Sequence, residues 1–365
     1  MTMKAELVDK VNDGELTPTV ELGLAISFAE DLKGDILQRF HRNETDKMDK
    51  RFTEFVLIEA VRMLLGIPPV TFYDYLRHNE ELRNVMDLNC LKGLGNYMDF
   101  KRKRKKLDVR FKDVSIRNFD GKSDEDYALD NFKIEVDLNK YRSGKKIKQE
   151  KFDAEFQHST TKGTIVGFQA SLLINLSNFS LQKLEIYPIT KAKKDIWNEM
   201  VLSVLGTKQG NKKSVIADGG FFAYDNYLRS VRQRVTPIIN PRSGLEEEVK
   251  EKLEKASVNI EWFDTQNSKQ FKKLLEEFEE IVGEAVEKSL NYDDFKVERS
   301  KIEHIFKIAK EIFGMKDLHV YSKKTALWRA FAAVYVSTLF YQFLVKNQIN
   351  PHRAMGLLSH NKDAW

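Results

Sequence analysis

The pattern of apolar and polar positions divides the chain into stretches of different period. Over residues 1–106 the period is helical. In residues 52–65, Phe55, Leu57, Ile58, Val61, Met63 and Leu64 recur at helical spacing, and Gly66, Pro68 and Pro69 then stop the run. Residues 71–86 continue in the same way with Phe72, Tyr75, Leu76, Leu82 and Val85. After residue 107 the character changes. Residues 132–138 (FKIEVDL) alternate as a half-buried strand does, and residues 164–176 and 182–187 are further strand candidates rich in Ile, Val, Leu and Phe. A helix over 191–205, a short buried strand over 214–218 (SVIAD), a helix over 224–234 and a strand over 235–240 complete an alternating pattern, so this part is expected to be α/β, a mixed sheet with flanking helices. Residues 245–291 turn highly charged and helical and read as an insertion, and two long helices over 293–315 and 323–348 finish the fold. The division expected is a helical N-terminal domain over 1–106, the first part of an α/β domain over 107–244, a helical insertion over 245–291, C-terminal helices of the α/β domain over 292–350, and a tail over 351–365.

Composition adds a globular character and a mild basic excess. The chain has 365 residues, 42% of them hydrophobic and 32% charged, which is ordinary for a folded protein with more than one structural unit. The net charge is +5, and the excess is uneven. Lys101, Arg102, Lys103, Arg104, Lys105 and Lys106 form an unbroken cationic run that Arg110 and Lys112 extend. Such a run is either a solvated linker or a nucleic-acid contact, and next to a small helical unit it makes DNA binding by the N-terminal domain the expectation. The single cysteine, Cys90, excludes disulfide frameworks and cysteine-rich zinc sites and makes a reducing compartment, the cytoplasm, the default. Residues 1–16 lack the apolar core of a secretory signal. Residues 327–345 imitate a membrane span, but Arg329 and Gln342 interrupt them, so a helix buried in protein is expected instead. The seven histidines show no H-x-x-x-H or H-x-x-H pairing, which argues against a histidine metal site.

The chemistry is carried by acids. Asp137 closes the strand FKIEVDL and Asp218 closes the strand SVIAD. If the two strands are neighbours, their carboxylates converge at the edge of the sheet, where open α/β folds place their ligands. Carboxylates there suit hard divalent cations, and two such ions about 3.5 to 4 Å apart serve phosphoryl transfer by activating the attacking oxygen and stabilising the leaving one. Each aspartate taken singly is equally a turn residue after a strand. A third acid comes from the helix over 293–315. Arg299, Glu303 and Lys310 share one face at 3.6 residues per turn, and Ile302, Phe306, Ala309 and Phe313 form the adjoining apolar face. Arg299 and Lys310 flank Glu303 as cations able to hold phosphates, although charges spaced four apart also occur on any surface helix.

Residues 216–244 (IADGGFFAYDNYLRSVRQRVTPIINPRSG) resemble the stretch around the second catalytic aspartate of insertion-sequence DDE transposases. There a strand ends in Asp, a Gly-aromatic turn follows, then a helix, then a strand of the kind v-x-P-i-i-P-R. Residues 299–326 resemble the family's C-terminal motif of R, three residues, E, six residues, K, matched at Arg299, Glu303 and Lys310. The tyrosine that usually precedes this arginine by three residues is Lys296 here. The family's K-G-x-x-x-G-[FY] strand is matched at Lys162, Gly163, Gly167 and Phe168, and two acids precede it: Asp137, preferred because its strand is the cleaner one, and Asp153 in KFDAEF.

The resemblance covers roughly residues 130–345. It implies a ribonuclease H-like catalytic domain that cuts and joins DNA at transposon ends, with two Mg2+ or Mn2+ ions held by Asp137, Asp218 and Glu303. Arg299, Lys310 and the basic run Lys101 to Lys106 would hold double-stranded DNA, both the terminal inverted repeats and the target, and the protein would act as a homodimer. Trp262, in IEWFDT, is a candidate to stack on a flipped base, and His158 and His304 lie near the acids in sequence. The competing readings are a ribonuclease H-like nuclease or resolvase, which would not need the long insertion between Asp218 and Glu303, and an inactive DNA-binding derivative, against which three intact acids speak.

Overall fold

The computed structural model describes residues 5–40, 47–86, 126–136, 153–159, 163–206, 212–240, 268–315 and 322–360. The chain divides into two compact units, one made of Met1–Phe119, His304–His319 and Lys324–Trp365, the other of Asp120–Glu303 and Val320–Lys323. The cationic run Lys101 to Lys106, Asp137 and Trp262 lie outside the described residues.

The second unit is built on one sheet. Its strands are β1 (Asp126–Glu135), β2 (Glu155–Ser159), β3 (Gly163–Asn175), β4 (Leu181–Pro188), β5 (Lys213–Ala217) and β6 (Val235–Ile239). They lie in the order β2-β3-β1-β5-β6, with β4 also paired to β3. The long β3 is antiparallel to β1, β2 and β4, whereas β5 and β6 run parallel to β1. This is the ribonuclease H-like arrangement, a mixed sheet with flanking helices whose first strand sits in the middle.

Strand β1 begins six residues before the point at which the alternating pattern starts. Tyr127, Ala128 and Leu129 are fully buried, and only from Phe132 onward do inward and outward residues alternate. A central strand covered on both faces has no polar side to show, and Asp126 and Asp130 break up what would otherwise read as an apolar run. The glycine of the KGTIVGF segment explains how closely β1 and β3 pair. A Cβ at Gly167 would stand 2.0 Å from the Ile134 carbonyl oxygen, so only glycine fits.

The segment read as one helix over 191–205 is a succession of turns: a 3-10 turn at Lys193–Ile196, a π-helical turn at Asn198–Leu202 and an α-helical turn at Ser203–Leu205. Trp197 sits between the first two, fully buried, and its indole N–H donates to Ser230 Oγ at 2.7 Å. Ser230 belongs to α6 (Tyr224–Arg232), which packs with α7 (Ser268–Leu290) on β6. The Tyr227 hydroxyl fixes this layer, donating to the Ile239 carbonyl at 3.1 Å and bonding Ser289 Oγ at 3.0 Å. Helix α8 (Tyr292–Glu311) follows, and Ile302, Phe306, Ala309 and Phe313 are buried as the spacing predicts.

The first unit is helical: α1 (Ala5–Asp13), α2 (Pro18–Phe40), α3 (Lys47–Leu64), α4 (Pro69–His78) and α5 (Glu80–Met86), with α9 (Lys323–Lys346) and α10 (Pro351–His360) from the other end of the chain. The single helix expected over 71–86 is broken at Asn79, whose backbone is extended and whose side chain accepts from the Leu82 N–H at 2.9 Å, capping α5. Helix α10 occupies part of the segment read as a tail. Helix α9 is the span-like stretch. Phe340 packs edge-on against Phe28 at 5.0 Å and against Phe313 at 6.0 Å, so its apolar surface is buried in protein. Among the described residues no helix is long and apolar enough to cross a membrane.

Candidate active site

Parallel pairing of β1 with β5 sets the geometry. Leu129 is opposite Ala217, so the next residue of each strand brings Asp130 level with Asp218 on neighbouring strands, about 4.8 Å apart in the backbone. Asp218 leaves the strand and caps a single 3-10 turn, Gly219–Phe221, its Oδ1 accepting from the Gly220 N–H at 2.8 Å. Asp130 is held inside the sheet with its side chain 10% exposed, and its Oδ1 accepts from the Asn131 N–H at 2.7 Å.

Two cations close over this pair. The Lys193 ammonium donates to Asp218 Oδ2 and stands 3.6 Å from Asp130 Oδ1. Arg299, on α8, donates through Nη1 to Asp130 Oδ2 at 3.1 Å and through Nη2 to Glu303 Oε1 at 2.6 Å. One guanidinium therefore ties the buried strand acid to the half-exposed helix acid. The planar fork of arginine suits this task in a way that a lysine ammonium does not.

The electrostatics follow from that packing. Burial pushes the Asp130 carboxyl above the ordinary carboxylate value; Lys193 pulls it back, Asp218 pushes it up again, and the Asn131 N–H and Arg299 lower it, leaving a net rise. Burial works against the charged form of Arg299, but Tyr292, Asp130, Glu303 and Asp218 together outweigh it and hold the guanidinium pKa above its ordinary value. Tyr292, at the start of α8, is buried with its hydroxyl unpaired. Burial first, opposed by Arg299 and supported by Asp218, Asp130 and Glu303, raises it to about 12, so it remains a neutral hydroxyl beside the acids.

The segment carrying Lys193 is fastened from three sides. Gln169 on β3 receives a bond from Asn131 Nδ2 at 3.3 Å and gives one to the Lys191 carbonyl at 2.5 Å. Asn226, buried in α6, donates to the Lys194 carbonyl at 2.9 Å and the Phe221 carbonyl at 3.0 Å, clamping the Lys193 turn to the Asp218 turn. Gly220 completes the seat, since a Cβ there would lie 2.8 Å from Lys193 Cδ.

The predicted residues fare differently. Asp218, Arg299 and Glu303 are brought together. Lys310 lies on the same helix, seven positions beyond Glu303 in sequence. Asp153 is engaged elsewhere, its Oδ1 accepting from the Lys323 N–H at 2.5 Å at the start of α9. His158 is part of β2, and the His304 ring packs edge-on against His352 at 4.1 Å within the helical unit. The acid that the structure sets beside Asp218 is Asp130, which the sequence did not single out, nor Lys193 or Tyr292. Only the parallel register exposes Asp130, and only the fold separates Lys193 from Lys191 and Lys194.

Asp130, Asp218 and Glu303 offer oxygen donors alone, the set a hard divalent cation takes, and two of them already converge on a positive charge. Among the described residues no three such groups are gathered into a ready cage. Glu303 is linked to the pair through Arg299, and the negative charge is compensated by the chain's own cations.

A family model described as Transposase DDE domain matches residues 122–337. A comparison with curated proteins gives no match. Among solved structures, the chain is similar to a cryo-EM structure of the piggyBac transposase synaptic complex with hairpin DNA, at 7% sequence identity and a TM-score of 0.44, over 99% of this chain and 80% of that one.

Proposed function

The chain belongs to the transposase DDE-domain family, and from that premise we propose that it cleaves DNA at transposon ends and joins it to a target by metal-dependent phosphoryl transfer. In this reading Asp130, Asp218 and Glu303 are the three acids, with Asp130 in the place first assigned to Asp137 or Asp153. The observation that carries it is that Asp130 and Asp218 come next after Leu129 and Ala217, which are paired on adjacent parallel strands, and that Arg299 links Asp130 to Glu303. The three carboxylates would hold two Mg2+ or Mn2+ ions, which supply activation of the attacking oxygen and stabilisation of the leaving one.

The chain's own groups do the rest. Asp130 is fixed by the sheet and Asp218 by the turn that it caps, so they define where the scissile phosphate must lie. Arg299 would present its fork to the non-bridging oxygens of that phosphate, and Lys310 would hold the strand further along. The basic run Lys101 to Lys106 binds the duplex through its phosphates, with an affinity that falls steeply with salt. A homodimer, one protomer at each transposon end, would bring the two cuts together.

The test is cleavage of a supercoiled plasmid carrying the element's own ends, with Mg2+ or Mn2+, by the full chain and by Asp130→Asn, Asp137→Asn, Asp153→Asn, Asp218→Asn and Glu303→Gln. Loss in the Asp130, Asp218 and Glu303 variants, with the other two still cutting, supports the reading. A wild type that binds the ends and never cuts them overturns it in favour of a DNA-binding protein without catalysis. Loss in Asp137→Asn with cutting retained by Asp130→Asn would return the first acid to Asp137.

A further inference from the structure

Lys193 stands where a cation for the two strand acids would stand. Its ammonium bonds Asp218 Oδ2, lies 3.6 Å from Asp130 Oδ1 and hangs 5.3 Å from the centroid of the Phe221 ring. This is not the snorkelling of an ordinary surface lysine, because the chain is shaped around it. Gly220 leaves room for its stem. Asn226 and Gln169 pin the carbonyls of the flanking Lys194 and Lys191. What is fixed is the backbone; the side chain itself, 29% exposed, is held at its tip by carboxylates. A four-carbon stem with rotatable bonds can leave without disturbing the turn that carries it.

Two neighbouring carboxylates repel one another when both are ionised, and a monovalent ammonium between them relieves the repulsion. A divalent cation on the same oxygens would relieve it further, but it would face an ammonium at contact distance, and like charges that close repel strongly in a partly buried site. We propose that Lys193 is a built-in counter-ion of the acid pair: its ammonium holds Asp130 and Asp218 together in the metal-free protein, competes with the divalent cation for the same oxygens, and withdraws when that cation enters. The inference rests on the assignment of Asp130 and Asp218 as metal ligands and adds what keeps the centre assembled before it is loaded.

The experiment is Mn2+ binding to the metal-free full chain, with no DNA, followed by the electron paramagnetic resonance signal of free Mn2+. Wild type is compared with Lys193→Gln, Lys193→Met and Asp218→Asn. Removing the competitor should tighten Mn2+ binding by about ten-fold in Lys193→Gln. Lys193→Met, which keeps an unbranched stem and removes only the ammonium, should tighten binding by a similar factor, and it stands in if Lys193→Gln fails to fold. Equal or weaker binding in both variants, with binding in wild type still abolished by Asp218→Asn, overturns the role of Lys193 and leaves the metal centre standing. Mn2+ binding that persists in Asp218→Asn overturns the metal assignment itself, and the inference with it.

Discussion

The two halves of the candidate site are made of different material. Asp130 belongs to a central strand, bonded to β3 on one side and β5 on the other, with its side chain 10% exposed. Glu303 belongs to helix α8, its side chain is 50% exposed, and it reaches the centre through Arg299. The sheet half is set before any ligand arrives. The helix half has rotamer freedom left, so a ligand can complete it. In the proposed reaction, a site built this way would place the phosphate with the strand acids and complete its contacts from the helix.

Substitutions that separate the halves test this contrast. The largest effect expected is in catalysis. Asp130→Ala and Glu303→Ala should each lower the cleavage rate by about a thousand-fold or more, as the loss of charge stabilisation at a phosphoryl-transfer site does. Thermal melting should tell them apart, because Asp130→Ala leaves Arg299 and Lys193 without a largely buried partner and lowers Tm, while Glu303→Ala leaves it nearly unchanged. Equal losses of Tm would break the contrast.

Next in size is Gly167→Ala. With a Cβ 2.0 Å from the Ile134 carbonyl oxygen, β1 and β3 must part, at a cost on the order of 3 kcal/mol in denaturant unfolding. Gly283→Ala, in α7 with nothing within 4 Å of the added methyl, should instead stabilise by roughly 0.5 to 1 kcal/mol. If both changes cost the same, the tight strand crossing is not what fixes Asp130.

Smaller again is Asp153→Ala, which removes the acceptor for the Lys323 N–H and should cost about 1 kcal/mol while cleavage stays within about two-fold of wild type.

The smallest effect is alkaline. Tyr227 and Tyr292 are both raised to about 12, so in the folded protein they ionise above the ordinary tyrosine value of about 10. Their stabilising contribution is full below pH ~10 and is lost as pH rises towards 12. Ultraviolet titration of the phenolates should show Tyr227 and Tyr292 lagging the exposed tyrosines together with Tyr187 and Tyr75, which burial also pushes up, and Tyr292→Phe should remove one of the lagging group.

Much of this was legible along the chain, and the gaps have physical causes. The strand before Asp218 is a short apolar run with a turn behind it, and α8 carries a clean apolar face, so spacing together with the family resemblance made Asp218, Arg299, Glu303 and Lys310 candidates. Asp130 could not. Alternation detects strands with one wet face, and β1 has one only beyond Phe132, so its first half, with exposed Asp126 and buried Asp130 around an apolar run, carries no strand pattern. Asn79 hid a helix break for a related reason, since capping is decided by one side-chain bond that periodicity does not register. Tyr292 is two helical turns ahead of Arg299, where no motif directs attention, and its proximity to the acids is a property of the packed helix.

The cap at Asp218 has a stereochemical consequence. Because Oδ1 accepts from the Gly220 N–H, this carboxylate is oriented by the chain, and the oxygen it turns to the Lys193 ammonium is Oδ2. A divalent cation held there, as proposed, would find one oxygen of Asp218 already engaged by the chain and the other shared with Lys193.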